Sequence, residues 1–241
     1  MSGHSKWNNI KHKKEKADAA KAKIFTKIGK EMAVAIKAGG PDPNNNSKLR
    51  DLIAKAKANN VPNDNIQRTI KKFTDNSDIN FEEIVYEGYG PSGVAIIVET
   101  QTDNRNRTAG NVRAAFSKYG GNLGQNGYVG YLFEQKGVIT IVDEDEEIEE
   151  DKIMEDALEA GAEDIKCDEG EYTIYTAAED LDAVRDAIIS LGYQINTADL
   201  AKVPSTYVEL TSEEDIANME KMLDKFNEDD DVNAVYHNWD M

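Results

Sequence analysis

The hydrophobic period of this chain changes once, at Thr74, and that change limits what it can fold into. Before Thr74, apolar residues recur at helical spacing. Ala17, Ala20, Ile24, Phe25, Ile28, Met32, Ala35 and Ile36 fall on one face at 3.6 residues per turn. Gly39-Gly40-Pro41 ends that helix. Ser47 stands where the N-cap of a second helix is expected, with Leu49, Leu52, Ile53 and Ala56 inside, and Val61-Pro62-Asn63 breaks it. A third helix carries Ile66, Ile70 and Phe73 on its apolar side. Three helices with short links make a small bundle. Residues 1–13, whose only large apolar side chains are Trp7 and Ile10, cannot bury themselves and are expected as an arm or a strap.

After Thr74, β-type runs alternate with helices. Ile84–Gly88 and Val94–Thr100 are strands around the turn GYGPSG. Thr102-Asp103-Asn104 is an N-cap region, followed by a helix holding Ala109, Val112, Ala115 and Phe116. Tyr128–Phe133 is strand-like. Residues 137–203 then follow the order β-α-β-β-α-β, which is the ferredoxin-like pattern. Tyr207–Leu210, a helix opened by Thr211-Ser212-Glu213-Glu214, and Val232–Tyr236 complete the chain. The terminal strand-helix-strand supplies what residues 80–133 lack to bury a sheet face. The expected fold is therefore α+β and multidomain: an N-terminal three-helix domain followed by two α/β (ferredoxin-like) domains, one inserted in the other. The expected boundaries are 1–75, then 76–135 with 204–241 as a split middle domain, with 136–203 as the inserted acidic domain.

Charge follows the same division. Residues 1–73 hold 17 Lys+Arg and 6 Asp+Glu, a net of +11; residues 74–241 hold 11 and 40, a net of −29. Binding follows local potential, so a polyanion is expected on the head and is repelled by the body. Cys167 is the sole cysteine, which rules out an intramolecular disulfide and a cysteine-cluster metal site, and it fits a reducing compartment. The N-terminus has no apolar core of a signal peptide, and no apolar run nears the roughly 18 residues of a membrane helix. The expected location is the cytoplasm.

Two basic constellations point to nucleic acid. In the arm, Lys6, Lys11, Lys13 and Lys14 surround Trp7, His4 and His12, and Lys21, Lys23 and Lys27 continue the charge along the first helix. Cations neutralise phosphates and release counterions, while an indole stacks on bases. The alternative is a solvated tail with Trp7 packed on its own protein. The second constellation is Arg105 and Arg107 at a predicted helix start. There they oppose the helix dipole unless an anion, or a carboxylate such as Glu99 or Asp103, answers them. Tyr128, Tyr131 and Phe133 are candidate base-stacking aromatics, although core aromatics on a strand are the better expectation.

Other motifs carry nothing. GYGPSG lacks the Gly-Lys-Ser/Thr of a phosphate loop, and GGNLGQNG opens no helix as a dinucleotide site requires. The run DEDEEIEED lacks the spacing of a calcium loop. His4, His12 and His237 are scattered, and no GxSxG elbow occurs. No catalytic residue, metal ligand or cofactor site is expected.

The stretches GHSKWNNIKHKK, KIFTKIGKEM, AGGPDPNNNSKLRDLIAKAKANNVPNDNIQRTIKK, YEGYGPSGVAIIVETQTDNRNRT and GYLF, in order over roughly the first 135 residues, resemble the YebC/PmpR family. That resemblance implies three domains, the second split in sequence, and no catalytic activity. It implies a cytoplasmic transcriptional regulator that binds promoter DNA. Other members resemble ribosome-associated translation factors, among them a mitochondrial activator of cytochrome oxidase subunit I synthesis and bacterial factors that relieve stalling on proline runs.

Taken together, the expected function is a non-enzymatic regulator of gene expression that binds nucleic acid. The formal reading is transcription regulation through DNA binding. The alternative is a translation factor holding ribosomal RNA or tRNA. A head without a helix-turn-helix signature has no evident way to read a duplex, which favours RNA. The candidate contacts are Lys6, Trp7, Lys11, His12, Lys13, Lys14, Lys21, Lys23, Lys27, Arg105 and Arg107. No membrane, metal, cofactor or small-molecule substrate is expected, and the chain is expected as a monomer.

Overall fold

In the computed structural model the described residues are 17–75, 80–143, 148–168 and 170–240, with backbone only for 17–23. The chain divides into two units: Lys13–Tyr128 with Ser212–Val235, and Val129–Thr211 with Tyr236–Met241.

The first unit begins with the helices α1 (Ala17–Gly39), α2 (Ser47–Ala58) and α3 (Asn63–Asp75). The periodic apolar faces meet: Ile28, Met32, Ala35, Leu49, Leu52, Ala56 and Ile66 are buried together, with Ile70 and Phe73 packed against them. Both α2 and α3 pack mainly on α1. The link from α1 to α2 turns on Asn46 rather than Ser47. Asn46 Oδ1 accepts the Leu49 N–H at 3.0 Å, while its Nδ2 donates to the carbonyls of Ala35 and Gly40, each at 2.8 Å. An amide can serve both helix ends at once, whereas a hydroxyl has one proton, so Asn46 is buried and Ser47 is the first exposed helical residue. The α2–α3 link is a Schellman motif: Val61 N–H donates to Ala56 O and Asn60 N–H to Lys57 O, with Asn60 in the left-handed region at φ 58°.

The sheet of this unit comprises β1 (Glu82–Tyr89), β2 (Ala95–Thr102), β3 (Asn122–Leu123) and β9 (Val232–His237), in the order β3-β1-β2-β9. The β1–β2 hairpin is antiparallel, from Glu82↔Thr102 to Tyr89↔Ala95. Only Glu99 of β2 is even half-exposed, which explains the near-continuous apolar run VAIIVET. Two helices, α4 (Arg105–Lys118) and α7 (Glu213–Glu228), complete the layer, with the buried rings of Phe116 and Phe226 5.3 Å apart. Gly88 is required where β1 meets β3, because a Cβ there would lie 2.6 Å from Asn122 O and 2.8 Å from Phe116.

The second unit runs β4 (Phe133–Val142), α5 (Glu150–Glu159), β5 (Asp164–Asp168), β6 (Glu171–Ala177), α6 (Leu181–Ser190) and β7 (Thr197–Pro204). The strand order is β5-β6-β4-β7 and every pairing is antiparallel, so the sheet has the ferredoxin-like topology that its element order predicts. Ile139, Ile141, Ile153, Ala157, Tyr172, Ile174, Val184 and Ile188 form its core. Outside it, Lys166 Nζ stands 5.7 Å from the ring of Tyr175 and 5.9 Å from that of Tyr207, holding the chain beyond β7 by cation–π attraction. A short parallel pair, β8 (Val208–Glu209) with β10 (Trp239–Asp240), belongs to the same unit.

The expected strand over Tyr128–Phe133 is not formed. Val129 is fully buried, and its carbonyl accepts from Leu132 N–H, so Gly130–Leu132 is a 3-10 turn. The strand starts only at Phe133 and runs on through Val142, so it also forms the first strand of the ferredoxin-like order expected from residue 137.

If Asn46 is the cap, Asn46→Ala will lower stability by about 2 kcal/mol, from the lost cap bond and the lost side-chain bonds to the Ala35 and Gly40 carbonyls. Ser47→Ala will change it by no more than about 0.5 kcal/mol. Urea denaturation of the two variants distinguishes the caps.

Candidate nucleic-acid interface

Among the residues expected to meet phosphate, Lys6, Trp7, Lys11, His12, Lys13 and Lys14 lie outside the described residues. Lys21 and Lys23 lie in α1, where only the backbone is described. Lys27 reaches the backbone carbonyl of Asn233 at 3.5 Å, on β9. Its neighbour Lys30, absent from the expected contacts, shows what that flank of α1 does. Lys30 Nζ donates to Asp231 Oδ1 at 2.7 Å, to Asp230 O at 2.8 Å and to Gln101 O at 3.4 Å, and lies 5.6 Å from the centre of the Phe81 ring. Farther along α1, Lys37 donates to Asn80 Oδ1. This flank of the lysine-rich helix fixes the bundle to the sheet.

The arginine pair divides in the same way. Asn104 caps α4, its Oδ1 accepting the Arg107 N–H at 3.0 Å. Arg105 opens the helix and is exposed. Arg107 folds back: Nη2 and Nε donate to Asp231 Oδ2 at 2.6 and 3.1 Å, and Nη2 also donates to Asp103 Oδ1 at 2.9 Å. Of the carboxylates expected to answer these arginines, Asp103 does so. Asp231, more than a hundred residues away in sequence, could not be found by spacing.

Asp231 is the centre of this arrangement. Its side chain is 5 % exposed, and besides Lys30 and Arg107 it accepts from the hydroxyls of Thr102 and Thr108 at 3.2 and 2.9 Å. Burial by itself pushes the carboxyl up. The hydrogen bonds from Lys30, Arg107 and Thr108 outweigh that and bring it down to about 2. The same bond from Asp231, and then that from Asp103, raises the Arg107 guanidinium.

A groove of about 630 Å³ opens beside it, lined by Lys30, Arg107, Lys118, Lys225, Asp229 and Asp231 among others. Its four cations face Asp103, Glu228, Asp229, Asp230 and Asp231, so the groove has no single sign and is not a phosphate channel. Other exposed cations without a carboxylate partner lie outside the groove. Arg50 and Lys57 on α2 and Arg68, Lys71 and Lys72 on α3 are exposed and pair with no carboxylate among the described residues. On the ferredoxin-like unit, by contrast, Lys136, Lys152 and Arg185 are each held by carboxylates. The aromatics also depart from expectation: Tyr131 is 74 % exposed and Tyr128 43 %, and neither lies on a strand. Among the described residues there is no group of three or more His, Cys, Asp or Glu able to hold a metal ion, and no helix long and apolar enough to cross a membrane.

A basic three-helix head joined to two antiparallel sheets, the second ferredoxin-like, defines an α+β multidomain protein without a recognisable catalytic constellation among the described residues. Residues 5–76 match the TACO1/YebC protein N-terminal domain and residues 81–239 the TACO1/YebC second and third domain. The chain belongs to this family, as the motifs of its first 135 residues suggest. A protein of Agathobacter rectalis named "Probable transcriptional regulatory protein" is 56% identical over 241 residues, covering 100% of both chains. One of the same name from Lachnoclostridium phytofermentans is 53% identical, again over 100% of both. The crystal structure of a conserved hypothetical protein from Aquifex aeolicus superposes with a TM-score of 0.84 at 44% identity, covering 95% of this chain and 94% of that one.

Because the folded Asp231 carboxyl titrates below its ordinary value, its stabilisation is present above about pH 4 and is lost as pH falls towards 2. Asp231→Asn will destabilise the protein by at least about 2 kcal/mol at pH 6, and the deficit will shrink as the pH is lowered from 4 to 2. Urea titrations of both proteins at pH 6, 4 and 3 measure it; a pH-independent deficit would assign the loss to packing.

Proposed function

We propose that the protein is a non-enzymatic regulator of gene expression that holds nucleic acid through its basic N-terminal region, acting as a cytoplasmic transcriptional regulator on DNA. The observation that carries this reading is the division of cations. The head has a net charge of +11, and Arg50, Lys57, Arg68, Lys71 and Lys72 are exposed with no carboxylate partner among the described residues, whereas Lys136, Lys152 and Arg185 of the ferredoxin-like unit are held by carboxylates. Phosphate neutralisation by such cations supplies affinity without sequence information. The names of the bacterial relatives agree with this role. Lys6, Lys11, Lys13, Lys14, Lys21 and Lys23 would add phosphate contacts, with Trp7 and His12 stacking or anchoring. Arg105 is placed to join them. Arg107 and Lys27 are already engaged in part by the protein itself, Arg107 through Nε and Nη2 and Lys27 through the Asn233 carbonyl, so they are weaker candidates.

A second reading, a ribosome-associated translation factor holding ribosomal RNA or tRNA, is favoured by the body. Residues 133–204 carry 22 Asp+Glu and 5 Lys+Arg, the wrong sign to track a duplex. A ribosome places basic protein beside RNA, and an assembly of that kind suits a chain with one basic and one acidic part.

Lys11→Glu combined with Lys13→Glu is expected to weaken binding at least tenfold and to flatten its salt dependence, since each phosphate contact contributes close to one unit of slope. Co-sedimentation with ribosomes at two salt concentrations, with excess duplex DNA as competitor, separates the readings. Pelleting that survives the competitor and is lost in the double variant supports the ribosome. Loss of pelleting with tight duplex binding supports DNA. Unchanged affinity and slope in the variant would remove the arm from either account.

A further inference from the structure

We propose that α2, its four-residue turn and α3 form a duplex-DNA reading surface, with the exposed face of α3 entering the major groove. This rests on the nucleic-acid reading above and adds to it a place where bases are read. The arm lysines contact phosphate and specify nothing, so a regulator acting on DNA needs such a place.

The geometry supports it in three steps. First, α2 ends in a Schellman motif at Asn60, and α3 begins at Asn63 after the turn 59–62. Two helices joined by a turn of this length are the connection by which a second helix is presented to a groove. The turn lacks the customary Gly, and Asn60 fills the left-handed position in its place at φ 58°. This is why no helix-turn-helix signature is visible in the sequence. Second, α3 is held only by its inner face, where Ile66 is fully buried and Thr69, Ile70 and Phe73 are partly so. The opposite face is exposed from end to end. Asn63, Gln67 and Lys71, four residues apart, make one row, with Asp64 and Arg68 in the row beside it. Third, the chemistry of that face fits base edges. Asn and Gln pair with adenine, Arg with guanine, and an acid accepts from cytosine, as Asp64 can. On α2, Arg50 and Lys57 are exposed and unpaired among the described residues, as required of a first helix lying along the phosphates.

Duplex DNA is the occupant because these groups converge on a convex helix that a groove about 12 Å wide accepts, whereas the deep, narrow major groove of an RNA duplex excludes it.

The test is selection from a random-sequence duplex DNA pool by the full-length protein, with affinities measured for the selected duplex, an unrelated duplex and a hairpin RNA. The wild type is expected to enrich a short motif. Arg68→Ala and Gln67→Ala should each lose selection at one position and bind the selected duplex about tenfold more weakly. Arg50→Gln with Lys57→Gln should weaken every duplex alike and lower the salt slope by about 2. Unaltered melting temperatures show that the variants are folded. Wild-type selection that Arg68→Ala and Gln67→Ala leave unchanged overturns the proposal, and so does binding restricted to the hairpin RNA, which leaves the nucleic-acid reading intact. If the folded wild type binds none of the probes, that reading falls as well.

Discussion

The head and sheet of the first unit depend on one buried carboxylate. Asp231 enters β9 from the loop after α7 and is met there by Lys30 of α1, Arg107 of α4 and the hydroxyls of Thr102 and Thr108. Each group alone is a poor candidate for burial. A lone carboxylate at 5 % exposure would be driven neutral, and an arginine at the start of a helix opposes its dipole. Together they satisfy one another, and the pairing joins segments that are 201 and 124 residues apart. Such a cluster adds little net stability over apolar packing, but it tolerates only one arrangement of its members. It thus fixes where the bundle meets the sheet.

The same cluster changes the meaning of the lysine-rich helix. Along α1 the positive charge is not uniform in role: Lys30 serves the unit's own backbone and the Asp231 carboxylate, Lys27 a backbone carbonyl, and the exposed Lys37 the side-chain oxygen of Asn80. Other exposed cations, Arg50, Lys57, Arg68, Lys71 and Lys72, lie on α2 and α3. A polyanion laid on α2 and α3 meets side chains that break no internal pair to receive it. One drawn to Arg107 meets a guanidinium whose charge Asp231 and Asp103 already answer. Charge counting alone ranks these sites equally; pairing separates them.

What the sequence made legible follows from local periodicity. The three helices, the hairpin, the ferredoxin-like order and the Asn104 cap depend on residues within a few positions of one another, and the structure has them. At Ser47 and Tyr128 the structure departs from local pattern, because tertiary demands decide there. Asn46 outranks Ser47 because it also serves the end of α1, and Val129 turns inward, which forces a 3-10 turn where alternation suggests a strand. The candidate site was legible only as composition. Arg105 and Arg107 look equivalent in sequence, yet one is free at the surface and the other is bound by Asp231, because a partner so far along the chain leaves no mark in spacing.

Precise contact to a nucleic acid requires that the contacting face be carried on something that does not yield. Lys30 is 12 % exposed and Asp231 5 %, so their pair is little screened by salt and out of reach of an incoming phosphate. The outer faces of α2 and α3 are therefore anchored from behind by α1, and α1 by the Asp231 cluster. Occupying the outer face does not require loosening the inner one. Within this unit, the anchoring pair of Lys30 and Asp231 lies apart from the exposed cations of α2 and α3, and that separation lets a chain of net charge −18 keep a rigid basic surface.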